Sequence, residues 1–582
     1  MAKIAPQTII DLYDQSDIAS LTIDTENSPL FMAAITSDKG PEDLRVVSSD
    51  FFKYYGTTPS FARHGQPLLQ AARTINAGAR LLVKRVVAPD STLGNIIVSA
   101  KVEKNTDVDA TSKIKVTMMV TTVEDAKSIS TIDAQAASTA VTSGDAARVY
   151  PLFTIYDIGR GLSNKKFRVI PDYRTSKDLD FMQYTLQIIE GASEIENITF
   201  SLNPDLIYAG FNYGLEAVSL KSTQIRARVY DHFVDLFAEY CGEQLTINKS
   251  DIYNMDILFG CSKIGQSLET IEFTEDSKNI NSVLGINLQS GTNGTFGTNP
   301  LAASEYAEEM AKVFNGEATD EIYDITKYQL DAIVDANYPA VVKRAIENLV
   351  TFREDAFYFR DLGIVKTYEQ IKSMHDQALH NKFSASNHIS YDVIDPYTMK
   401  QITVTGNYTL APLLVGHFKS GRNRAVAGMI HNMVYNDAID GTVNYIPKVV
   451  PDLDQKQQLV DINVNYASYY ESKLVLETQS TAQEKHTQFS YINNVLAVQE
   501  IIKMLRVRCP KTRYTFLDGD DFDSYKNDVN EQLKQYKTNF KELIFEYVAD
   551  ETAVQNKMFV ATIKVTCRNY IESERFKIYV IG

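Results

Sequence analysis

The stretch from Met558 to Gly582 constrains the fold most, because it holds two runs in which side chains alternate in character. Phe559 to Thr566 alternates Phe, Ala, Ile and Val with Val, Thr, Lys and Thr, and Phe576 to Ile581 alternates Phe, Ile and Val with Lys, Tyr and Ile. A period of two in residues of high strand propensity predicts half-buried β-strands. Because the second run stands next to the last residue, we expect a strand whose free edge pairs with its own sheet or with another molecule. The pattern therefore predicts a chain that joins to copies of itself.

Composition sets the class of protein. At 582 residues the chain is too long for one core, and about three to four domains are expected. A hydrophobic content of 44% and a charged content of 23% are typical of soluble globular proteins. The net charge of −16 argues against non-specific binding to nucleic acid or acidic membranes. No apolar run approaches the roughly 18 residues of a membrane span, so we expect neither a nucleic-acid partner nor direct membrane insertion.

Strand and helix patterns alternate along much of the chain, which predicts a multidomain α/β fold of mixed α+β character. We predict five regions: an N-terminal linking arm at 1–25, a middle α/β domain at 26–87 and 150–270, a β-rich outer insertion at 88–149, a further α/β domain at 271–395, and a C-terminal domain at 396–582 that the terminal strands complete. Within the arm, Thr8 to Tyr13 has the composition of one short strand. Two interpretations stay open: a frayed terminus, or an arm that pairs with a neighbour and reaches about 65 Å when extended.

Three predicted helices bear on function. Ile225 to Cys241 has an amphipathic pattern, and from Asp523 to Tyr547 a narrow apolar stripe recurs at spacings of three and four. The helix from Tyr491 to about Val507 is more buried and ends in a basic cluster that contains Lys503, Arg506 and Arg508. Such a cluster either stabilises the negative end of the helix or forms a docking face for an acidic protein surface.

Patterns for catalysis and cofactors are incomplete. His375, His380 and His388 do not have the spacing that places two metal ligands on one helical face. The run from Gly260 to Gly265 is one residue too long for a nucleophile turn, and the glycine-rich loop at 285–297 lacks the Gly-Lys-Ser/Thr of a phosphate loop. The aspartates at 518–523 lack the glycine and glutamate that complete a calcium loop. We therefore predict no catalytic residue, no metal site and no cofactor.

Several short motifs follow one another in the order found in contractile tail sheath proteins, and the chain resembles this myovirus-type family over most of its length. The motifs are Gly56–Phe61 before a helix, Ala77–Val86, the glycine–asparagine turn Gly159–Asn164, the region from Gly285 to Gly363 that ends in Arg353–Asp361, and Arg424–Gly428 followed by Asp437, Gly441 and Pro447.

The resemblance implies a sheath-type core in which 271–395 has a subtilisin-like fold without a catalytic triad. It implies a homo-oligomer of stacked rings that polymerises helically around an inner tail tube and contracts to drive the tube through the host envelope. Its partners would be the tube protein and the baseplate and tail terminator proteins. The subunit would be part of the virion, in a phage tail assembled in the host cytoplasm, with residues 88–149 on the outer surface.

Two sets of residues are predicted to make contacts between molecules. The inter-subunit strands are predicted to comprise Thr8, Ile9, Ile10, Leu12 and Tyr13 in the arm, and Phe576, Ile578, Tyr579, Val580 and Ile581 at the other end. Lys503, Arg506 and Arg508 are predicted to face the tube. Two alternatives stay open: the sheath of a phage-derived contractile injection system, and an α/β-fold hydrolase. The hydrolase requires a Ser–His–acid set that we cannot assemble from the eight scattered histidines.

Overall fold

The structure is a computed structural model that describes residues 28–104, 114–140, 147–171, 184–201, 206–245, 286–288, 290–365, 367–435, 446–508, 519–547 and 561–568. The predicted arm at 1–25 and the run from Phe576 to Ile581 lie outside these ranges. None of the helices within them is long and apolar enough to cross a membrane.

The strands, in chain order, are β1 (Leu30–Ile35), β2 (Arg45–Val47), β3 (Arg80–Arg85), β4 (Asn95–Lys104), β5 (Ile114–Thr121), β6 (Ala147–Asp157), β7 (Lys165–Pro171), β8 (Tyr184–Glu190), β9 (Ser193–Phe200), β10 (Ile207–Tyr208), β11 (Phe211–Asn212), β12 (Ile225–Val229), β13 (Ile286–Asn287), β14 (Ala332–Val334), β15 (Phe357–Asp361), β16 (Ser384–Asn387), β17 (Ser390–Ile394), β18 (Gln401–Thr405), β19 (Ile446–Pro447), β20 (Val464–Asn465), β21 (Ala467–Tyr470), β22 (Lys473–Leu476), β23 (Glu542–Tyr547) and β24 (Ala561–Thr566). The α-helices are α1 (Phe51–Tyr55), α2 (Phe61–Asn76), α3 (Ile129–Thr139), α4 (Leu215–Ser219), α5 (Asp231–Leu245), α6 (Tyr306–Phe314), α7 (Ala340–Arg353), α8 (Tyr368–His375), α9 (Asn407–Ser420), α10 (Leu453–Asp461), α11 (Ile492–Arg508) and α12 (Gly519–Lys534).

A seven-stranded sheet forms the centre of the body, in the order β2-β3-β1-β14-β15-β16-β20. All of its neighbouring strands run parallel except β2, which pairs antiparallel with β3. Parallel sheets are covered by helices on both faces, so their strands are buried throughout instead of alternating. All five residues of β15 are buried, and apolar side chains of α2, α6, α7, α9 and the start of α11 pack with the strands in one core.

The strands are grouped differently from the predicted domains. β1 and β3, from the segment 26–87, lie in the same sheet as β14 and β15 of the segment 271–395, and Phe31 stands opposite Ala332. The predicted middle domain instead joins 26–87 to 150–270. A buried strand carries no mark of its partner in its own composition, so a pairing across some three hundred positions is visible only in the folded chain.

Two four-stranded sheets, β12-β6-β4-β5 and β13-β7-β8-β9, share a second core with α4 and α5. β4 and β5 come from the predicted outer insertion at 88–149, yet β4 pairs with β6 from Asn95 to Glu103, so the two segments build one sheet. The predicted helix from Ile225 to Cys241 begins only at Asp231, because Ile225–Val229 is strand β12 and pairs with β6. We call the region built around these two sheets the β-rich part, and we keep the word body for the region around the central seven-stranded sheet.

The last described elements pack around a separate small core. Side chains of α11, α12, β23 and β24 meet there, and we call this unit, from Ala497 onward, the C-terminal module. The predicted strand in Phe559–Thr566 is confirmed as β24. The predicted helix from Asp523 to Tyr547 is wrong beyond Lys534, because the chain leaves the helix and returns as β23. The mixed, multidomain α/β fold class is confirmed.

Candidate functional site

The C-terminal module contains a sheet of two antiparallel strands. In the register of β23 and β24, Leu543 lies opposite Val565 and Phe545 opposite Ile563. These four side chains pack with Val529 and Leu533 of α12, which are 1% and 0% exposed. The alternate positions of both strands face away from the core, which explains the period of two seen in the sequence.

The outer face and the edges of this sheet are open within the described part of the chain. Glu542, Ile544 and Glu546 on β23, and Thr562 and Lys564 on β24, are exposed. Each strand has one described partner, the other strand, so each presents a free edge of backbone N–H and C=O groups. A sheet of only two strands is marginally stable in water and gains from a third. Among the described residues, neither edge of this sheet is covered by a further strand.

The predicted tube-facing cations lie at the junction of the module and the body. Lys503 is 9% exposed and its Nζ donates to Asp331, while Arg506 donates to the backbone carbonyl of Arg353. The charge of Lys503 is thus already paired inside the chain. The side chain of Arg508 lies outside what the structure describes. Contact of Lys503, Arg506 and Arg508 with a tube stays a prediction.

The glycine–asparagine turn lies where the β-rich part meets the central sheet. A Cβ at Gly159 would stand 2.3 Å from the carbonyl oxygen of Gly40, and one at Gly161 would stand 2.4 Å from that of Asp38. Real Cβ atoms do not approach a carbonyl oxygen this closely, so both positions require glycine. The motif is therefore explained by the approach of two backbones and not by a bound phosphate.

Charged groups hold the same joint. Arg160 binds Glu42 through two guanidinium nitrogens, with a shortest distance of 2.7 Å, and Arg85 donates to the backbone carbonyls of Ser37 and Gly40 at 2.8–3.0 Å. Burial alone would raise the pKa of Glu42, but its hydrogen bonds with Arg160 lower it. A bidentate pair fixes orientation as well as distance, so the β-rich part is held firmly against the body.

Substituting Gly161 by alanine is expected to destabilise the chain by about 2–4 kcal/mol, because the new Cβ meets the Asp38 carbonyl and the backbone φ is +143°. Gly210→Ala is the matched control: its φ is +82°, but nothing lies within 4 Å of the added Cβ. The control should cost only the strain of its backbone conformation, about 1–2 kcal/mol. Urea unfolding of both variants provides the measurement, and equal losses would contradict the close-approach explanation.

A buried ionic cluster at the carboxyl ends of β14 and β15 was not predicted from the sequence. The Nζ of Lys343, in the first turn of α7, lies 2.6 Å from an oxygen of Asp335 and also binds Asp361. Tyr358 donates to Asp335, and Thr405 donates to Asp361 at 2.8 Å. The sequence signal that could have revealed this cluster is an aspartate, Asp335, directly after one buried apolar run, and a second aspartate, Asp361, at the end of the next run. All carboxylate oxygens have partners, so the cluster is a structural tie and not an open site.

The histidines do not converge on a reactive group. His375, His388 and His417 are buried, and burial lowers the pKa of each to about 4, so they are neutral at pH 7. His375 contacts the hydroxyl of Ser386 at 3.1 Å, but both side chains are buried away from solvent. Within the described ranges, no group of three or more His, Cys, Asp or Glu side chains is arranged to hold a metal ion.

Comparisons with known proteins give only structural likenesses. No family model matches the sequence, and no curated protein matches it. The sheath tail protein of Desulfitobacterium hafniense is 8% identical, with a TM-score of 0.45, over 97% of this chain and 100% of that protein.

Two likenesses involve injection particles. The sheath complex of PVC, an extracellular contractile injection system, in its contracted state is 10% identical, with a TM-score of 0.37, over 45% of this chain and 74% of that one. A chain of the baseplate of the anti-feeding prophage is 10% identical, with a TM-score of 0.38, over 52% of this chain and 84% of that one. The chain is thus similar to components of contractile particles, at a level of likeness that by itself assigns no function.

Proposed function

We propose that this chain is a structural subunit of a contractile tail sheath, which polymerises helically around an inner tail tube and contracts to drive the tube through the host envelope. The observation that carries the proposal is the two-stranded sheet β23–β24, whose edges are open among the described strands, in a chain that also has a strand-forming run at Phe576 to Ile581. The sheath-like order of motifs in the sequence indicates that the linked subunits form a contractile tail sheath.

The linkage is made by strand addition. The run from Phe576 to Ile581 of one copy adds to the β23–β24 sheet of a neighbour, and Thr8 to Tyr13 adds in the same way from the other end. Seven residues separate Arg568 from Phe576, which limits the reach of the terminal strand to about 25 Å. Backbone hydrogen bonds of this kind persist when two bodies rotate, so a linked array survives contraction.

The role we propose is mechanical and needs no catalysis, cofactor or metal. The extended sheath is a metastable state that assembly on the tube traps, and contraction releases the stored free energy. Its partners are further copies of the chain, the tube protein, and the baseplate and terminator proteins. The particle is a phage tail assembled in the host cytoplasm, and a phage-derived injection device would use the same chemistry.

Removing residues 574–582 is expected to abolish polymerisation, because the β23–β24 sheet, which we call the acceptor sheet, then loses one of its two added strands and the links between subunits are incomplete. The measurement is negative-stain electron microscopy of the full chain and the shortened chain, each co-expressed with a tube protein. Lys577→Gln is the matched control, since it keeps the apolar face made by Phe576, Ile578 and Val580. The full chain and the control should form hollow striated tubes, whereas the shortened chain should stay dispersed.

Two results would count against the proposal. Tubes of ordinary length from the shortened chain would mean that the terminal strand does not link subunits. The absence of any polymer from the full chain, even with a tube protein present, would remove the sheath function itself.

A further inference from the structure

Helix α11 belongs to two hydrophobic cores at once. Ile492, Val495 and Leu496, near its start, pack in the core of the central sheet. Ala497, the next residue, and Ile501, about one turn further on, pack in the core of the C-terminal module. One continuous helix thus connects the acceptor sheet to the body, and a force on one is transmitted to the other only if this helix keeps its position.

Polar side chains on one face of α11 fasten it to the body. Gln499 donates to the backbone carbonyls of Glu354 and Ala356, at 3.1 and 2.9 Å, and Lys503 donates to Asp331. Arg506 donates to the carbonyl of Arg353. Positions 499, 503 and 506 are spaced by four and three residues, so they lie along one stripe of the helix. The stripe contacts the end of α7, the turn after it and the residue before β14.

Asp331 anchors this stripe in the centre of the body. It stands directly before the central strand β14; its backbone N–H donates to Leu30, and one carboxylate oxygen accepts from the Leu30 N–H at 2.8 Å. Its other carboxylate oxygen accepts from both Lys503 and Arg422. Arg422 also forms an ion pair with Glu500 of α11 at 3.2 Å. Although burial would raise the pKa of Asp331, these two cations hold it well below its usual value, so the carboxylate is charged at neutral pH.

We infer that Lys503, Gln499 and Asp331 are positioning residues, which lock α11 and the β23–β24 acceptor sheet to the central sheet so that tension on an added strand moves the whole subunit. The mechanical purpose of this lock rests on the proposed function, whereas the contacts that form the lock do not. It gives Lys503 a role inside the subunit that does not depend on the predicted contact with a tube. Without the lock, the acceptor sheet would turn about α11 and take up the motion that contraction must transmit.

Hydrogen exchange of the dispersed chain tests the lock. Lys503→Met together with Gln499→Ala is expected to speed amide exchange in α12, β23 and β24 by about tenfold or more, while β14 and β15 keep their protection. Lys503→Arg, which retains the charge that faces Asp331, should restore most of the protection. Lys534→Met is the matched control, because Lys534 lies on the exposed side of the same module, paired with Glu531.

Each outcome of the exchange experiment either supports or overturns the lock. Unchanged exchange in the module, or equal acceleration in the module and in β14 and β15, would overturn the lock, the second because it signals a general loss of stability. Because exchange is measured on dispersed chains, the result does not depend on polymerisation. A chain that shows the lock but never forms tubes would refute the sheath function alone.

Discussion

Lowering the pH from 7 to about 4.5 is expected to destabilise this chain, because three buried histidines must then take up protons. His375, His388 and His417 are 3%, 1% and 4% exposed, and burial lowers the pKa of each to about 4 from an unperturbed 6.5. The neutral forms are stable inside, whereas the charged forms would sit in an apolar surrounding.

The direction in which stability changes with pH follows from proton linkage. Because the pKa is lowered in the folded state, the unfolded chain binds more protons between pH 6.5 and 4, so stability is complete above 6.5 and is lost as the pH falls through this window. A histidine whose pKa is about 4 in the folded chain and 6.5 in the unfolded chain contributes about 3 kcal/mol of stability above pH 6.5, most of which is lost by pH 4.5. Asp335, Glu347 and Glu500 act in the opposite direction, because burial raises the pKa of each of these carboxyl groups, that of Asp335 to about 6 with the neighbouring Asp361 contributing. Their protonation offsets part of the loss.

The measurement is urea unfolding at pH values from 7 to 4.5, compared with His388→Leu. Both ring nitrogens of His388 lack hydrogen-bond partners among the described residues, so leucine keeps the packing and removes one titration. This variant should keep about 3 kcal/mol more of its stability at pH 4.5 than the unmodified chain. His232→Gln is the control, because His232 is exposed. A stability that does not change over this pH range would refute the prediction.

Lys343→Met is expected to destabilise the body by about 3–5 kcal/mol, because it leaves two buried carboxylates without their shared cation. Lys343, Asp335 and Asp361 are 2%, 0% and 1% exposed, so water does not replace the lost partner. The cluster ties α7 to the carboxyl ends of β14 and β15, in the middle of the central sheet.

The double variant Lys343→Met with Asp335→Asn separates charge from packing. Removing one of the two carboxylates should recover part of the loss, since only one unpaired charge then remains. Thermal unfolding of the single and double variants gives the comparison, with Lys534→Met, which breaks an exposed ion pair, as a control that leaves the midpoint unchanged. A single variant as stable as the unmodified chain would show that the cluster contributes nothing.

Local patterns reported the burial of segments well. The alternation in 559–566 predicted β24, because the pattern records which side chains of that segment face a core. The same patterns were ambiguous where two periods coincide. Phe540, Leu543 and Tyr547 fit a helical stripe, yet Leu543, Phe545 and Tyr547 fit a strand, and pairing with β24 decided for the strand.

The mixed α/β class, the strand character of β24 and the sheath-like order of motifs can all be inferred from the sequence alone. The tertiary structure decided which strands share a sheet, since β1 takes β14 as a neighbour from the other half of the chain. It also decided the state of the charges: Lys503 and Lys343 look like ordinary surface lysines in the sequence, but both lie buried against aspartates. The physical reason is the same in each case, because a segment's own pattern encodes how deeply it is buried, whereas its partner is set by residues far away along the chain.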